Sequence, residues 1–122
     1  MKRAVAGVLA GLVVWFTVAT AVNLLLRISW PDYAAAEKPM TFTLAMMLAR
    51  LALGALSSLC AGYVAAWLAK GPRMPINALA GLLLLLFIPV HYGLWNNFPV
   101  WYHLTFLASL PVLVLLGARL RP

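Results

Sequence analysis

The spacing of the charged residues constrains this chain more than any other feature. Between Arg3 and Arg27 lie 23 residues without a charge, and between Arg50 and Lys70 lie 19 more, "LALGALSSLCAGYVAAWLA". A third uncharged run extends from Ile76 to about Tyr92 and holds "LLLLLF"; a fourth extends from about Pro99 to Ala118. A helix crosses the hydrocarbon core of a bilayer in about 20 apolar residues, so each run predicts a membrane span. Composition agrees: 66% of the 122 residues are hydrophobic and 9% are charged, whereas a soluble domain is roughly half apolar and about a quarter charged. Such a chain has too little polar surface to cover a globule in water. The expected fold is therefore all-α, an integral membrane four-helix bundle forming one domain. Helix 1 is expected at about 3–27, an outer loop at 28–40, helix 2 at about 41–69 and an inner loop at 70–75. Helix 3 follows at about 76–92, an outer turn at 93–98 and helix 4 at about 99–119.

The first 21 residues, with a basic start, an apolar stretch and a closing Ala19-Thr20-Ala21, imitate a signal peptide. The apolar run continues through Leu24, Leu25 and Leu26 to Arg27, so the segment reads as a span. Orientation follows from the cations at the span ends, because Lys and Arg accumulate on the cytoplasmic side. Lys2, Arg3, Lys70, Arg73, Arg119 and Arg121 fall on one side, against Arg27 and Lys38 with Arg50 close by on the other. Both termini are expected in the cytoplasm of a bacterial inner membrane. The aromatic residues Trp30, Tyr33, Phe42, Tyr92, Trp95, Phe98, Trp101 and Tyr102 gather at the outer level, where an interfacial belt is expected. The net charge of +7 is spread over the ends of apolar runs and not clustered on a face, which argues against a nucleic-acid partner.

Between helices in lipid, small residues permit the close approach that packing needs. Gly7 and Gly11 form a GxxxG in helix 1, and Gly54, Ser58, Gly62 and Ala66 repeat every fourth residue in helix 2. These ridges predict helices 1 and 2 as the tight antiparallel pair, with Gly7 and Gly11 level with Gly62 and Ala66; a homodimer is the rival use of the same ridge. Pro89 and Pro111 each remove a backbone donor inside a span and predict local kinks. In the outer loop "SWPDYAAAEKP", Ser29 can cap, Pro31 suits a first turn and the three alanines propagate, so a short interfacial helix is expected.

A polar constellation gathers at the outer end. Thr17, Thr20, Asn23 and Arg27 share a stripe of helix 1, and Arg50 starts the helix 2 ridge four residues before Gly54. His91, Asn96, Asn97 and His103 reach a similar depth from the second half of the chain. An arginine at the centre of a span costs at least ~2.5–3.5 kcal/mol unless it is paired or reaches the interface. Arg50 therefore reads either as an anchor, snorkelling or paired with Asp32 or Glu37, or as a receptor for an anion, which a guanidinium fork suits. The candidate ligand-binding set is Asn23, Arg27, Arg50, His91, Asn96 and His103, with an anionic lipid or amphiphile as ligand. Two histidines without neighbouring acids or cysteines read as interfacial side chains beside a turn that Asn97 or its neighbour caps. The weaker uses are as haem or metal ligands or in a proton-linked role.

No cofactor or metal is expected, and no enzyme. The chain has two acids, Asp32 and Glu37, both in the outer loop, so no carboxylate pair can do acid–base work inside the membrane. Ser57 and Ser58 have no histidine at their depth, and the lone Cys60 permits no intrachain disulfide. The layout and the "WNNFPVWYH…LPVLVLLGARL" ending resemble small four-span bacterial inner-membrane proteins of unassigned function. The resemblance covers the whole chain, rests on layout and implies no activity. Three readings follow: an accessory subunit or homo-oligomer acting by helix packing with a membrane-protein partner, a binding or transport protein for an anionic lipid or amphiphile, and haem- or quinone-linked electron transfer.

Overall fold

The computed structural model describes residues 2–70 and 73–120. In chain order it contains α1 (Lys2–Ser29), α2 (Pro31–Glu37), α3 (Leu44–Ala69), α4 (Met74–Gly93), a 3-10 turn at Trp95–Asn97, and α5 (Val100–Arg119). No strand occurs among the described residues. α1, α3, α4 and α5 are each long and apolar enough to cross a membrane, the layout of a multi-pass membrane protein.

Local chemistry sets the ends of these helices. The residue before a proline is pushed out of the helical region, and Trp30, at φ −134° and ψ 87°, breaks the chain between α1 and α2. Pro31 then opens α2. The expected Ser29 cap does not form, because Ser29 completes the last turn of α1 and α2 has no side-chain cap. After Glu37 the chain reverses at Met40, whose φ is +55°. Thr43 is extended, and its hydroxyl accepts the Met46 N–H at 3.3 Å to cap α3. Pro99, not Asn97, occupies the N-cap of α5, again without a side-chain cap. Pro89 and Pro111 lie inside continuous helices.

Around the bundle the helices follow the order α1, α3, α5, α4 and back to α1. α1 runs antiparallel to α3: Gly7 faces Ala65 and Ala69, Gly11 faces Ala61, and Trp15 reaches Ser58. α3 and α5 run parallel, so that Gly54 meets Phe106 and Gly62 meets Val114. The expected pairing of the first two spans is present, but the ridge behind it differs. The face of α3 turned to α1 carries Ser58, Ala61, Ala65 and Ala69, whereas Gly54 and Gly62 turn to α5. A Cβ on Gly62 would run into the Val114 backbone, and one on Gly117 into the Leu59 backbone. Ala66 is half-buried beside the central core. α3 thus carries small residues on two faces, one for each flanking helix.

Two apolar clusters result. The central one joins Trp15, Ala61, Ala65, Ile76, Leu79, Leu83, Phe106, Leu110 and Val114. The second, at the end that carries α2, joins Tyr33, Ala36, Phe42, Met46, Phe98 and Tyr102. This corrects the expected aromatic belt. Tyr33, Phe42, Phe98 and Tyr102 are buried, whereas Tyr92, Trp95 and Trp101 remain exposed. Phe42, Phe98 and Tyr102 stack in sequence around a charged group that needs both ring faces and hydroxyl oxygens.

Candidate functional site

That charged group is Arg50, in the second turn of α3. Its Nε donates to the Tyr102 hydroxyl at 3.2 Å and its Nη1 to the Tyr33 hydroxyl at 2.9 Å. The guanidinium carbon lies 4.8 Å from the centre of the Phe42 ring and 5.8 Å from that of Phe98, distances at which a cation is attracted by an aromatic face. Neither acid of the chain pairs with it. The ion pair among the described residues joins Arg27 to Glu37, so the expected anchoring of Arg50 by Asp32 or Glu37 is not the arrangement found. Arg50 keeps its charge among neutral partners.

Tyr33 links Arg50 to the rest of the polar end. Its hydroxyl donates to Asn23 Oδ1 at 2.6 Å, and Asn23 Nδ2 donates to Glu37 Oε2 at 3.4 Å. Arg27 closes the chain with a fork, Nε to Glu37 Oε1 and Nη2 to Oε2, the latter at 3.0 Å. This ties the last turn of α2 to the last turns of α1. The hydrogen bonds from Arg27, aided by Asn23, hold the Glu37 carboxyl below its ordinary range despite partial burial.

Beneath this network lies a cavity of about 330 Å³. Its walls are Trp15, Phe16, Ala19, Thr20 and Asn23 of α1, Arg50 and Leu53 of α3, Tyr102 and Phe106 of α5, Glu37 of α2, and Phe87 of α4. α4 contributes one residue, while Phe16 and Thr20 on the α1 wall are exposed. The exposed edge of the cavity therefore lies on α1, with Phe16 stacked on Phe87 of α4 below it. Its floor is aromatic: Trp15 packs against Phe87 with ring centres 4.7 Å apart, and Phe87 against Phe106 at 5.3 Å. Trp15 is fixed by its indole N–H, which donates to Ser58 Oγ at 3.0 Å, while Ser58 donates to the Gly54 carbonyl. The arrangement is an aromatic-floored slot whose upper end carries Asn23, Arg50, Tyr102 and the Glu37 carboxylate that Arg27 holds.

Of the six candidate ligand-binding residues, Asn23 and Arg50 line this cavity. Arg27 does not: it stands half exposed above the rim, neutralised by Glu37. Asn96 lies exposed in the 3-10 turn, beside Tyr92 and Trp95 and away from the cavity. His91 and His103 are buried inside the bundle and not turned to its surface. Their Nδ1 atoms are 2.7 Å apart, and His103 Nε2 lies 3.3 Å from the Trp95 carbonyl oxygen. A carbonyl only accepts, so His103 carries a proton on Nε2; with the ring neutral, its Nδ1 accepts from His91 Nδ1–H. The two rings brace the α4–α5 corner behind Tyr102 and Phe106.

Tyr33, Tyr102, Glu37 and Trp15 belong to the site, although the sequence offered Tyr33 and Tyr102 only as belt residues, Glu37 only as a partner for Arg50, and Trp15 not at all. Tyr102 stands 52 residues from Arg50, a separation at which no local periodicity operates. Trp15 did leave a signal. A tryptophan at mid-span, away from either interface, needs an acceptor for its N–H, and Ser57 and Ser58 lie at that depth. Comparison with protein-family models, curated proteins and solved structures finds no match to this chain.

Proposed function

We propose that this chain is a small, non-catalytic membrane protein that binds an amphiphile with an anionic head, taking it from the surrounding lipid into the cavity between α1 and α4. The observation that carries the reading is Arg50, a permanent cation that forms no ion pair among the described residues, lining a slot with an aromatic floor. Its two bonded partners are neutral hydroxyls, and its fork suits carboxylate or phosphate oxygens. The exposed edge on α1 suits a ligand already dissolved in the bilayer. In this reading the protein sits in a bacterial inner membrane with both termini cytoplasmic, as the cation asymmetry supports, and α2 rests at the outer interface. The head would then meet Arg50 in the outer leaflet.

The accessory-subunit reading loses its main support once the ridges are placed. Gly7, Gly11, Gly54, Gly62 and Gly117 are spent on contacts within the chain, so a partner helix would need another surface. The binding reading is tested by thermal unfolding in detergent with dodecyl phosphate added. A ligand that binds only the folded state stabilises it by about 2.7 kcal/mol at a hundred times its Kd. The midpoint of the native protein should rise with concentration while that of Arg50→Gln stays flat. An equal rise in both proteins would refute the assignment of Arg50.

A further inference from the structure

Resting on that reading, the polar lining restricts the chemistry of the head, and we infer that it is a lone monoanion, a carboxylate or a phosphodiester, and not a zwitterion. Arg27, from outside the lining, neutralises Glu37 within it through two parallel hydrogen bonds, which leaves Arg50 as the lining charge without an ion-paired carboxylate among the described residues. The hydrogen bonds point the same way. Asn23 Oδ1 is taken by Tyr33, and the Tyr102 hydroxyl accepts from Arg50 while its own proton has no acceptor among the described residues. Arg50 uses Nε and Nη1, so Nη2 and the Tyr102 O–H remain as donors at the head of the cavity. Among the residues that line the cavity, an ammonium group would find Glu37 as its anionic partner, already held by the Arg27 fork and by Asn23. It would also face the repulsion of both arginines. A monoanion accepts from Arg50 and Tyr102 at once and leaves the Arg27–Glu37 latch intact.

The head is one chemistry with two sources, a free fatty acid or a phosphodiester lipid such as phosphatidylglycerol. Trp15 in the cavity floor is the reporter. The full chain is reconstituted in phosphatidylcholine vesicles doped with rising fractions of one brominated-chain species: dibromostearic acid, or phosphatidylglycerol, phosphatidylethanolamine or phosphatidylcholine carrying that chain. Bromine quenches a tryptophan that it touches, and the Trp15 share is the difference from Trp15→Phe. At least one anionic species should half-quench this share at a fraction roughly tenfold or more below the zwitterions, as a charge-assisted fork implies. Whichever anion does so names the source. Should Trp15→Phe fail to fold, the same preference is read on the native protein's total quenching and must vanish in Arg50→Gln. Equal quenching by zwitterions and anions would overturn the monoanion inference while leaving the cavity an amphiphile site. Failure of every species to reach Trp15 would overturn the binding reading itself.

Discussion

At Arg50 a full positive charge is stabilised by two hydroxyl oxygens and two aromatic faces, which sets what single substitutions should do. Tyr102→Phe removes one oxygen and one free donor while keeping the ring stack with Phe98. It should weaken ligand retention several-fold in a binding titration and leave helix content by circular dichroism unchanged. Arg50→Lys keeps the charge but loses the fork, so it should not restore binding. The other residue-scale bond is testable by stability. Hydrogen bonds between membrane helices average only ~0.6 kcal/mol, but Ser58→Ala leaves the buried Trp15 N–H without its acceptor, and an orphaned donor costs about 1–3 kcal/mol. Unfolding of Ser58→Ala in detergent should show a loss in the larger range. A neutral result would mean that the indole finds another acceptor.

α3 organises the elements, because it approaches α1 on one face and α5 on the other. Gly62 and Gly81 make a matched pair of tests on this packing. A methyl at Gly62 would collide with the Val114 backbone, whereas a methyl at Gly81 meets nothing within 4 Å. Gly62→Ala should therefore destabilise the protein by about 1–3 kcal/mol, the usual range for overpacking. Gly81→Ala should gain roughly 0.5–1 kcal/mol from helix propensity. Similar effects at the two sites would contradict the α3–α5 contact. The tie between α2 and α1 should be pH-dependent. Glu37 has a carboxyl lowered in the folded state, so its contribution is present above the ordinary carboxylate value and is lost as pH falls through the folded one. Stability against pH should decline in acid for the native protein and more shallowly for Glu37→Gln. Parallel curves would show that the latch contributes nothing.

For the molecule as a whole, the four long helices were legible because lipid makes the spacing of charges nearly a ruler. The presence of Arg50 and Asn23 at one depth was legible for the same reason. Which face met which neighbour was not. A four-residue ridge such as Gly54-Ser58-Gly62-Ala66 marks small residues but carries no information on whether α1 or α5 covers them, and α3 has such residues on two sides. The aromatic cluster misled more deeply. Tyr33 and Tyr102 look like interfacial tyrosines until Arg50, far away in sequence, is seen to need their oxygens. Likewise His91 and His103 resemble headgroup residues until the α4–α5 corner brings their rings together. Orientation belongs to this scale too: a cysteine introduced at exposed Asn96 in a Cys60→Ser background should react with an impermeant thiol reagent added to intact cells. Protection until the membrane is opened would reverse the assigned sidedness.

Whether Arg50 heads a binding cavity is read by native mass spectrometry of the protein extracted in a mild detergent. The native protein should carry a defined extra mass of amphiphile size that is lost in Arg50→Ala. A spectrum in which the native protein carries no such mass, and instead appears with a partner subunit or as a clean oligomer, would contradict that role of Arg50.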